Sequence, residues 1–467
     1  MGSGTASTIR SSRLGRFFSF PHAGSRFAAL EAYRAIAAMM VVVYHIAGTR
    51  AYTYSEYLSG RLLNALGNFG VCIFLLLSGF LLFHPFVRAH LRDTPMRDLK
   101  VYFRHRFLRI LPAYWIALTV SLMLIPVGIK GSPTPEWDPA TYFKLYFLIG
   151  NFTRGLSYSG LAVAWTLHLE VVFYLCLPLF AWITRRVFGR KARSLGSKVR
   201  ANLVLLAIMV VVAQLYRYGI RADKIEYRSI WFPNYLDWFA AGMLLAVISN
   251  WLDMGGTLPR WARLFADDML RCWLLGASLF VVIAATMSPG IPAKETTVEL
   301  LVRFTLAMFT AFLLLVPATL GQRRDDPLKR VFATAPFAFL GMISYGLYLW
   351  HAPMLFKLIH TDWWLNLKLK PYNGFWLEFA VIVPPAILVA AASYYLIEKP
   401  MMRFKNPREA QAYTVVSSGR PTIDDIDFVP PAEQGLVPAT VAAPPGDDDV
   451  PAMDDDDDRD ALTARSA

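Results

Sequence analysis

Apolar residues in this chain gather into ten long runs, separated by shorter segments rich in arginine and lysine. The runs lie near 28–49, 67–87, 107–129, 165–184, 201–216, 231–249, 272–288, 300–320, 336–358 and 376–398. Each has the length a helix needs to cross roughly 30 Å of hydrocarbon. Strict polar–apolar alternation of the barrel kind is absent. In lipid the backbone must satisfy its own hydrogen bonds, which leaves helices or closed barrels. The pattern therefore predicts an all-α polytopic integral membrane protein with about ten transmembrane helices. An eleventh apolar stretch, 141–150, is too short to cross and is expected to be re-entrant or interfacial.

Composition sharpens this picture. Of 467 residues, 55% are hydrophobic and 14% aromatic, too apolar for a soluble domain of this size. The net charge of +13 conceals two regions of opposite sign. Residues 406–467 hold 14 acidic and 4 basic residues, whereas the rest holds 43 basic and 20 acidic. On a soluble protein such a basic excess would suggest nucleic acid. Here the bases fall between apolar runs, so anionic lipid head groups are the expected partner and nucleic acid is not. The N-terminus and alternate loops carry 29 basic residues and the opposite side 14, which predicts that both termini are cytoplasmic. Three regions follow: a basic segment 1–26, a transmembrane domain 27–405, and an acidic tail 406–467. The tail carries Asp447–Asp449 and Asp454–Asp458; it cannot bury a core and is expected to be disordered. Cys72, Cys176 and Cys272 form no CxxC pattern, and no metal is expected.

Ionisable residues inside a membrane are costly and are functional candidates by default. In the first run Arg34 and His45 stand eleven residues apart, which returns to nearly the same helix face about 16 Å further along the axis. Glu31, three residues before Arg34, is placed to pair with it. The fourth run opens Trp165-Thr166-Leu167-His168-Leu169-Glu170 and should bring Glu170 to the depth of His45. A carboxylate orienting a histidine is a recurring catalytic arrangement, so a His45–Glu170 contact is expected; a structural role for Glu170 is the alternative. His351 also falls in the outer half, and His168 and Asp237 are weaker candidates at similar depth. At the other end, Arg106 and Arg109 share one face at a helix start, a geometry suited to phosphate as well as to anchoring at the lipid surface. Glu398 lies at their level. Neither a P-loop, GxGxxG, HExxH nor GxSxG pattern is present. Asn151-Phe152-Thr153 is a glycosylation sequon, a tripeptide that also arises by chance.

Five segments in order resemble the acyltransferase 3 family of membrane O-acyltransferases. They are Arg34 with His45; Ser78-Gly79-Phe80; Arg106 and Arg109 before Leu111-Pro112; Trp165 to Glu170 with Phe173-Tyr174; and Ser344-Tyr345 through His351 with Glu398 and Pro400. The resemblance covers residues 28–400. It implies a ten-helix domain that passes an acyl group, commonly acetyl from acetyl-CoA, to a hydroxyl of a glycan, glycolipid or small acceptor. It also implies roles for Arg34, His45, Arg106 and Arg109, and a bacterial plasma membrane as the setting. Some relatives append an esterase-like domain; none is expected in this chain, and a separate extracytoplasmic partner protein is among the expected partners. Glu31, Ala32 and Tyr33 stand where the family commonly has Asp, Gly and Leu, and Thr166 where it has Ser. His168 replaces an expected small or apolar residue. Tyr33 and His168 are therefore expected to reshape the acceptor side.

On this reading His45, Glu170 and Arg34 form the catalytic group and Arg106 with Arg109 holds acyl-CoA. His351, Glu398, Trp165 and Ser78 take substrate-binding or secondary roles. The histidine and the arginines should sit at opposite ends of one continuous passage. A lipid-linked sugar transporter is the rival class, since transport paths also carry buried charges. A scaffold that recruits partners through its acidic tail is a third.

Overall fold

A computed structural model describes residues 29–49, 57–124, 138–222, 226–286, 296–323, 325–367 and 371–404. The basic N-terminal segment and the acidic tail lie outside the described residues. All regular structure among the described residues is helical. The elements are α1 (Ala29–Thr49), α2 (Leu58–Leu91), α3 (Leu99–Leu124), α4 (Pro139–Tyr146), α5 (Trp165–Ile183), α6 (Leu195–Ala222), α7 (Leu236–Asp253) and α8 (Arg260–Ala266). They continue with α9 (Met269–Thr286), α10 (Thr297–Thr319), α11 (Pro327–Phe332), α12 (Ala335–Met342), α13 (Ser344–Ile359), α14 (Asp362–Asn366), α15 (Pro371–Ser393) and α16 (Lys399–Met402). Among the described residues nine helices are long and apolar enough to cross a membrane: α1, α2, α3, α5, α6, α7, α9, α10 and α15.

The ninth expected span is split. Apolar run 336–358 becomes α12 and α13, separated by Ile343, with φ −89° and ψ 2°. The backbone turns there while Ile343 N–H still reaches Phe339 O and Leu347 N–H reaches Ile343 O. Broken helices are tolerated at membrane depth where they are enclosed by protein or line a cavity, and Ser344, just past the break, does line one. Stretch 141–150 is the short helix α4 followed by a 3-10 turn, Gly150–Phe152. Asp138 caps α4, accepting from Ala140 N–H and Thr141 N–H ahead of Pro139.

Helices α1, α2, α7 and α13 make the centre of the bundle. Helix α2 runs antiparallel to α1: Gly67 lies against Tyr44, and Gly70 against Ala37 O and Val41. It crosses α7 at closest approach, where a Cβ on Gly242 would fall 1.9 Å from Leu76 O and one on Gly79 2.3 Å from Phe239 O. Small residues let helix backbones come this near. The glycine of the Ser78-Gly79-Phe80 motif is thus a packing residue, and its burial against α7 leaves Ser78 on the other side. A bidentate ion pair ties α6 to α7. Arg217 Nη1 donates to Asp237 Oδ2 at 2.7 Å and Nη2 to Asp237 Oδ1 at 2.5 Å, both side chains fully buried. Arg217 Nε also donates to Asn234 Oδ1 at 3.2 Å, and the guanidinium lies 4.4 Å from the Phe304 ring centre. Asp237, a weaker catalytic candidate by sequence, is therefore a packing partner.

Candidate active site

A cavity holding about 1170 Å³ of empty space, its open mouth included, runs into the centre of the bundle. Arg34 of α1, Arg106 and Arg109 of α3, Ser78 of α2, and Glu170 and Tyr174 of α5 all line it. Five side chains singled out in the sequence (Arg34, Arg106, Arg109, Ser78 and Glu170) thus meet in one chamber. Its remaining wall is largely apolar, with Leu75, Leu77 and Leu167 among the contributors. A chamber with apolar walls and a few convergent polar groups is the usual form of a small-molecule site.

Contacts order these residues along the helix axes. At one end Arg34 Nη1 lies 3.4 Å from both carboxylate oxygens of Glu31. The Arg106 guanidinium stands 5.9 Å from the Tyr102 ring centre. Glu398 is buried in a π-turn over Tyr394–Glu398 after α15; π-turns often mark functional positions. In the next layer Glu170 accepts from Ser78 Oγ at 3.0 Å and from Tyr174 OH at 3.2 Å, and Tyr345 OH donates to Ile110 O at 2.9 Å. Beyond it Tyr348 OH donates to Val163 O at 3.0 Å and lies 2.8 Å from Thr166 Oγ1. Phe74 meets the Tyr348 ring edge to face, centroids 5.9 Å apart.

His45 and His351 come next and do not line the cavity. His351 Nε2 is 3.2 Å from His45 Nδ1. The carbonyls beside them dictate the tautomers, because a carbonyl can only accept. His45 Nδ1 lies 2.9 Å from Val41 O, and His351 Nδ1 lies 3.0 Å from Leu347 O. Both Nδ1 atoms therefore carry hydrogen. His45 Nδ1–H is shared between Val41 O and the His351 Nε2 lone pair, which leaves His45 Nε2 as the basic nitrogen. One turn further along α1, Thr49 Oγ1 donates to Glu378 Oε2 at 2.5 Å. Glu378 is completely buried.

Several expectations need correction. Glu170 makes no hydrogen bond to His45; it lines the arginine chamber, and it is His351 Nε2 that lies beside His45 Nδ1. The cause is axial: α5 runs on from Thr166, at the level of Tyr348, so Glu170 sits a full turn nearer the arginines. The cavity also stops short of the histidines: neither lines it, and Tyr348, which does, has its ring 6.1 Å from that of His351. Trp165 does not line the cavity; its ring packs on Tyr235, centroids 5.8 Å apart, and its carbonyl accepts from Asn151 Nδ2 at 3.0 Å. That bond buries Asn151 to 2% exposure, so the sequon is closed in this fold. Tyr33 turns away from the chamber: its hydroxyl donates to Leu314 O and accepts from Trp273 Nε1 at 3.1 Å. His168 packs near Gly150 with Nδ1 bonded to Ala164 O at 2.8 Å. Tyr348, Phe74, Thr49 and Glu378 escaped the sequence reading. Tyr348 had a signal, lying three residues before His351 on the same face; Glu378 had one as a carboxylate inside an apolar run. Among the described residues no three His, Cys, Asp or Glu side chains cluster as a metal site requires.

Comparison with known proteins agrees with this architecture. The acyltransferase 3 family, described as an acyltransferase domain, matches residues 27–395. Nodulation protein 10 of Rhizobium leguminosarum bv. viciae is 24% identical over 362 residues, 74% of this chain and 85% of that one. A Staphylococcus aureus (strain COL) protein, provisionally named an O-acetyltransferase, is 22% identical over 385 residues, 80% of this chain. A Bacillus subtilis (strain 168) protein, provisionally named a peptidoglycan O-acetyltransferase, is 22% identical over 382 residues, also 80% of this chain. This chain spans 57% and 54% of the lengths of the latter two. No solved structure matches. With its helical membrane bundle and a family match over most of its length, the chain belongs to the acyltransferase 3 family and is a polytopic membrane acyltransferase.

Proposed function

We propose that the protein moves an acyl group, in the first instance acetyl, from a coenzyme A thioester on the cytoplasmic side to a hydroxyl of a glycan, glycolipid or other acceptor at the outer face of a bacterial cell membrane. One observation carries the reading: three guanidinium groups, Arg34, Arg106 and Arg109, line the same chamber, and a histidine pair lies in the layers beyond it. Arginine forks match phosphate oxygens, so Arg106 and Arg109 would hold the donor's phosphates, with Arg34 and Glu398 completing the charge balance. The apolar wall accepts the uncharged arm that follows. Relatives named as O-acetyltransferases support acetyl as the group and a hydroxyl as its destination. The name that specifies peptidoglycan supports a surface carbohydrate. The predominance of basic residues at the N-terminus and in alternate loops supports cytoplasmic termini and donor entry at the arginine end.

In the transfer step His45 Nε2 takes the proton of the acceptor hydroxyl as its oxygen attacks the thioester carbonyl. The carbon–sulfur bond breaks, and the proton passes to the departing thiolate. A variant of the same chemistry has His45 Nε2 take the acyl group first and yield it to the acceptor second. Either way Val41 O and His351 Nε2 share the hydrogen on His45 Nδ1, a positioning role for His351. Ser78 and Tyr174 hold Glu170 in the chamber wall, where its charge faces the arginines.

Acid–base help of this kind contributes about 10²–10⁴-fold in rate. His45→Ala should lose that factor in transfer of labelled acetyl from acetyl-CoA, while still inserting and folding. Arg106→Ala and Arg109→Ala should raise the KM for acetyl-CoA instead. Near-normal transfer by His45→Ala would refute the reading, as would movement of a lipid-linked sugar without donor consumption.

A further inference from the structure

Transfer as proposed needs a route from the arginine chamber to the histidine pair, and two aromatic side chains stand across it. We propose that Phe74 and Tyr348 form a gate that selects the acyl group by length, admitting short chains and turning back long ones. The inference rests on the acyl-transfer reading of the same site.

Both rings line the chamber and meet edge to face at 78°, centroids 5.9 Å apart. On the far side the His351 ring is 6.1 Å from that of Tyr348, and His45 follows at 3.2 Å from His351. Neither histidine reaches the chamber. A thioester carbonyl in the chamber and the base at His45 therefore lie on opposite sides of one ring contact.

The two leaves differ in freedom. Tyr348 is pinned by its bonds with Val163 O and Thr166 Oγ1. Phe74 has no polar group and is only partly buried, so a change of side-chain rotamer is the cheaper way to part the rings. A parted pair of rings in a close-packed wall leaves room for few atoms, and each added methylene must displace more of that wall. Acetyl makes the least demand.

The test uses the full chain in inside-out membrane vesicles, with radiolabelled acetyl-CoA and butyryl-CoA as donors and label in the glycan and lipid fractions as the readout. Phe74→Ala should raise the butyryl-to-acetyl ratio of kcat/KM by about tenfold or more, the scale on which apolar pockets discriminate added methylenes. Phe74→Leu, a milder change that keeps the helix packed, should fall between. If Phe74→Ala does not insert, Phe74→Leu decides alone. An unchanged ratio in the inserted variants would overturn the gate while leaving acyl transfer intact. Absence of any label transfer by the unaltered protein would overturn the acyl-transfer reading, and the gate with it.

Discussion

The hydrogen on His45 Nδ1 is held between Val41 O and His351 Nε2, so the basicity of His45 Nε2 depends on a second imidazole. Removing that acceptor forfeits a hydrogen bond that strengthens as His45 becomes positive. Such a bond contributes about 1.5 kcal/mol, roughly tenfold in rate. His351→Ala should therefore lower kcat by about tenfold and shift the pH profile of transfer, with little change in the KM for acetyl-CoA. His351→Gln, whose amide oxygen can accept in place of Nε2, should restore part of the rate. A KM effect without a change in pH profile would assign His351 a merely structural role. Glu170 has the opposite character: its two hydroxyl donors, Ser78 and Tyr174, fix it within the chamber, so its replacement should act on donor affinity.

Among the elements, α6 and α7 are coupled by a charge pair with no exposure at all. A buried pair adds modestly to stability while intact, but losing one member leaves an uncompensated charge and costs about 3–5 kcal/mol. Arg217→Ala should lower the thermal unfolding midpoint sharply in detergent. A double change, Arg217→Leu with Asp237→Leu, should be far milder. Helix α2 is tethered at its end differently. Asp93, just past that end and with φ at 57°, accepts from Lys198 at the start of α6, and this donation holds its carboxyl below the usual value. A carboxyl lowered by folding stabilises the native state above the ordinary carboxylate range, and that contribution is lost as pH falls through its folded value. The α2–α6 junction should loosen on acidification before the rest of the bundle. Asp93→Asn should show the looser junction at neutral pH, read by hydrogen exchange over 88–98. Unchanged exchange in that variant would remove the tether.

At the scale of the whole molecule, the bundle was legible in its apolar runs, because each crossing helix needs one. Their ends were not. Helix α2 starts at Leu58 rather than near 67, since hydrogen bonding continues through Ser59 and Arg61 after hydropathy has fallen. The split at Ile343 was hidden inside an apolar run, where nothing polar marks a turn. Arg34 was legible as a buried charge and Arg106 with Arg109 as a pair, because charges at membrane depth are rare; that all three line one chamber was not. The partnership of His45 was not, since sequence yields depth along one helix but not which neighbour faces it. Ser78-Gly79-Phe80 shows both sides: it stood out as a motif, yet the task of its glycine emerges only from the α2–α7 crossing. That crossing has an engineering consequence. Phe74 and Ser78 ride on α2, so the clearance between two backbones, set where Gly242 meets Leu76 O, acts as a shim for both. A methyl group inserted there by Gly242→Ala would push α2 sideways, at a stability cost of about 1–3 kcal/mol. Catalysis should suffer from a substitution that touches neither donor nor acceptor, and a compensating trim on α2, Leu76→Ala, would not rescue it, because the obstruction is main chain.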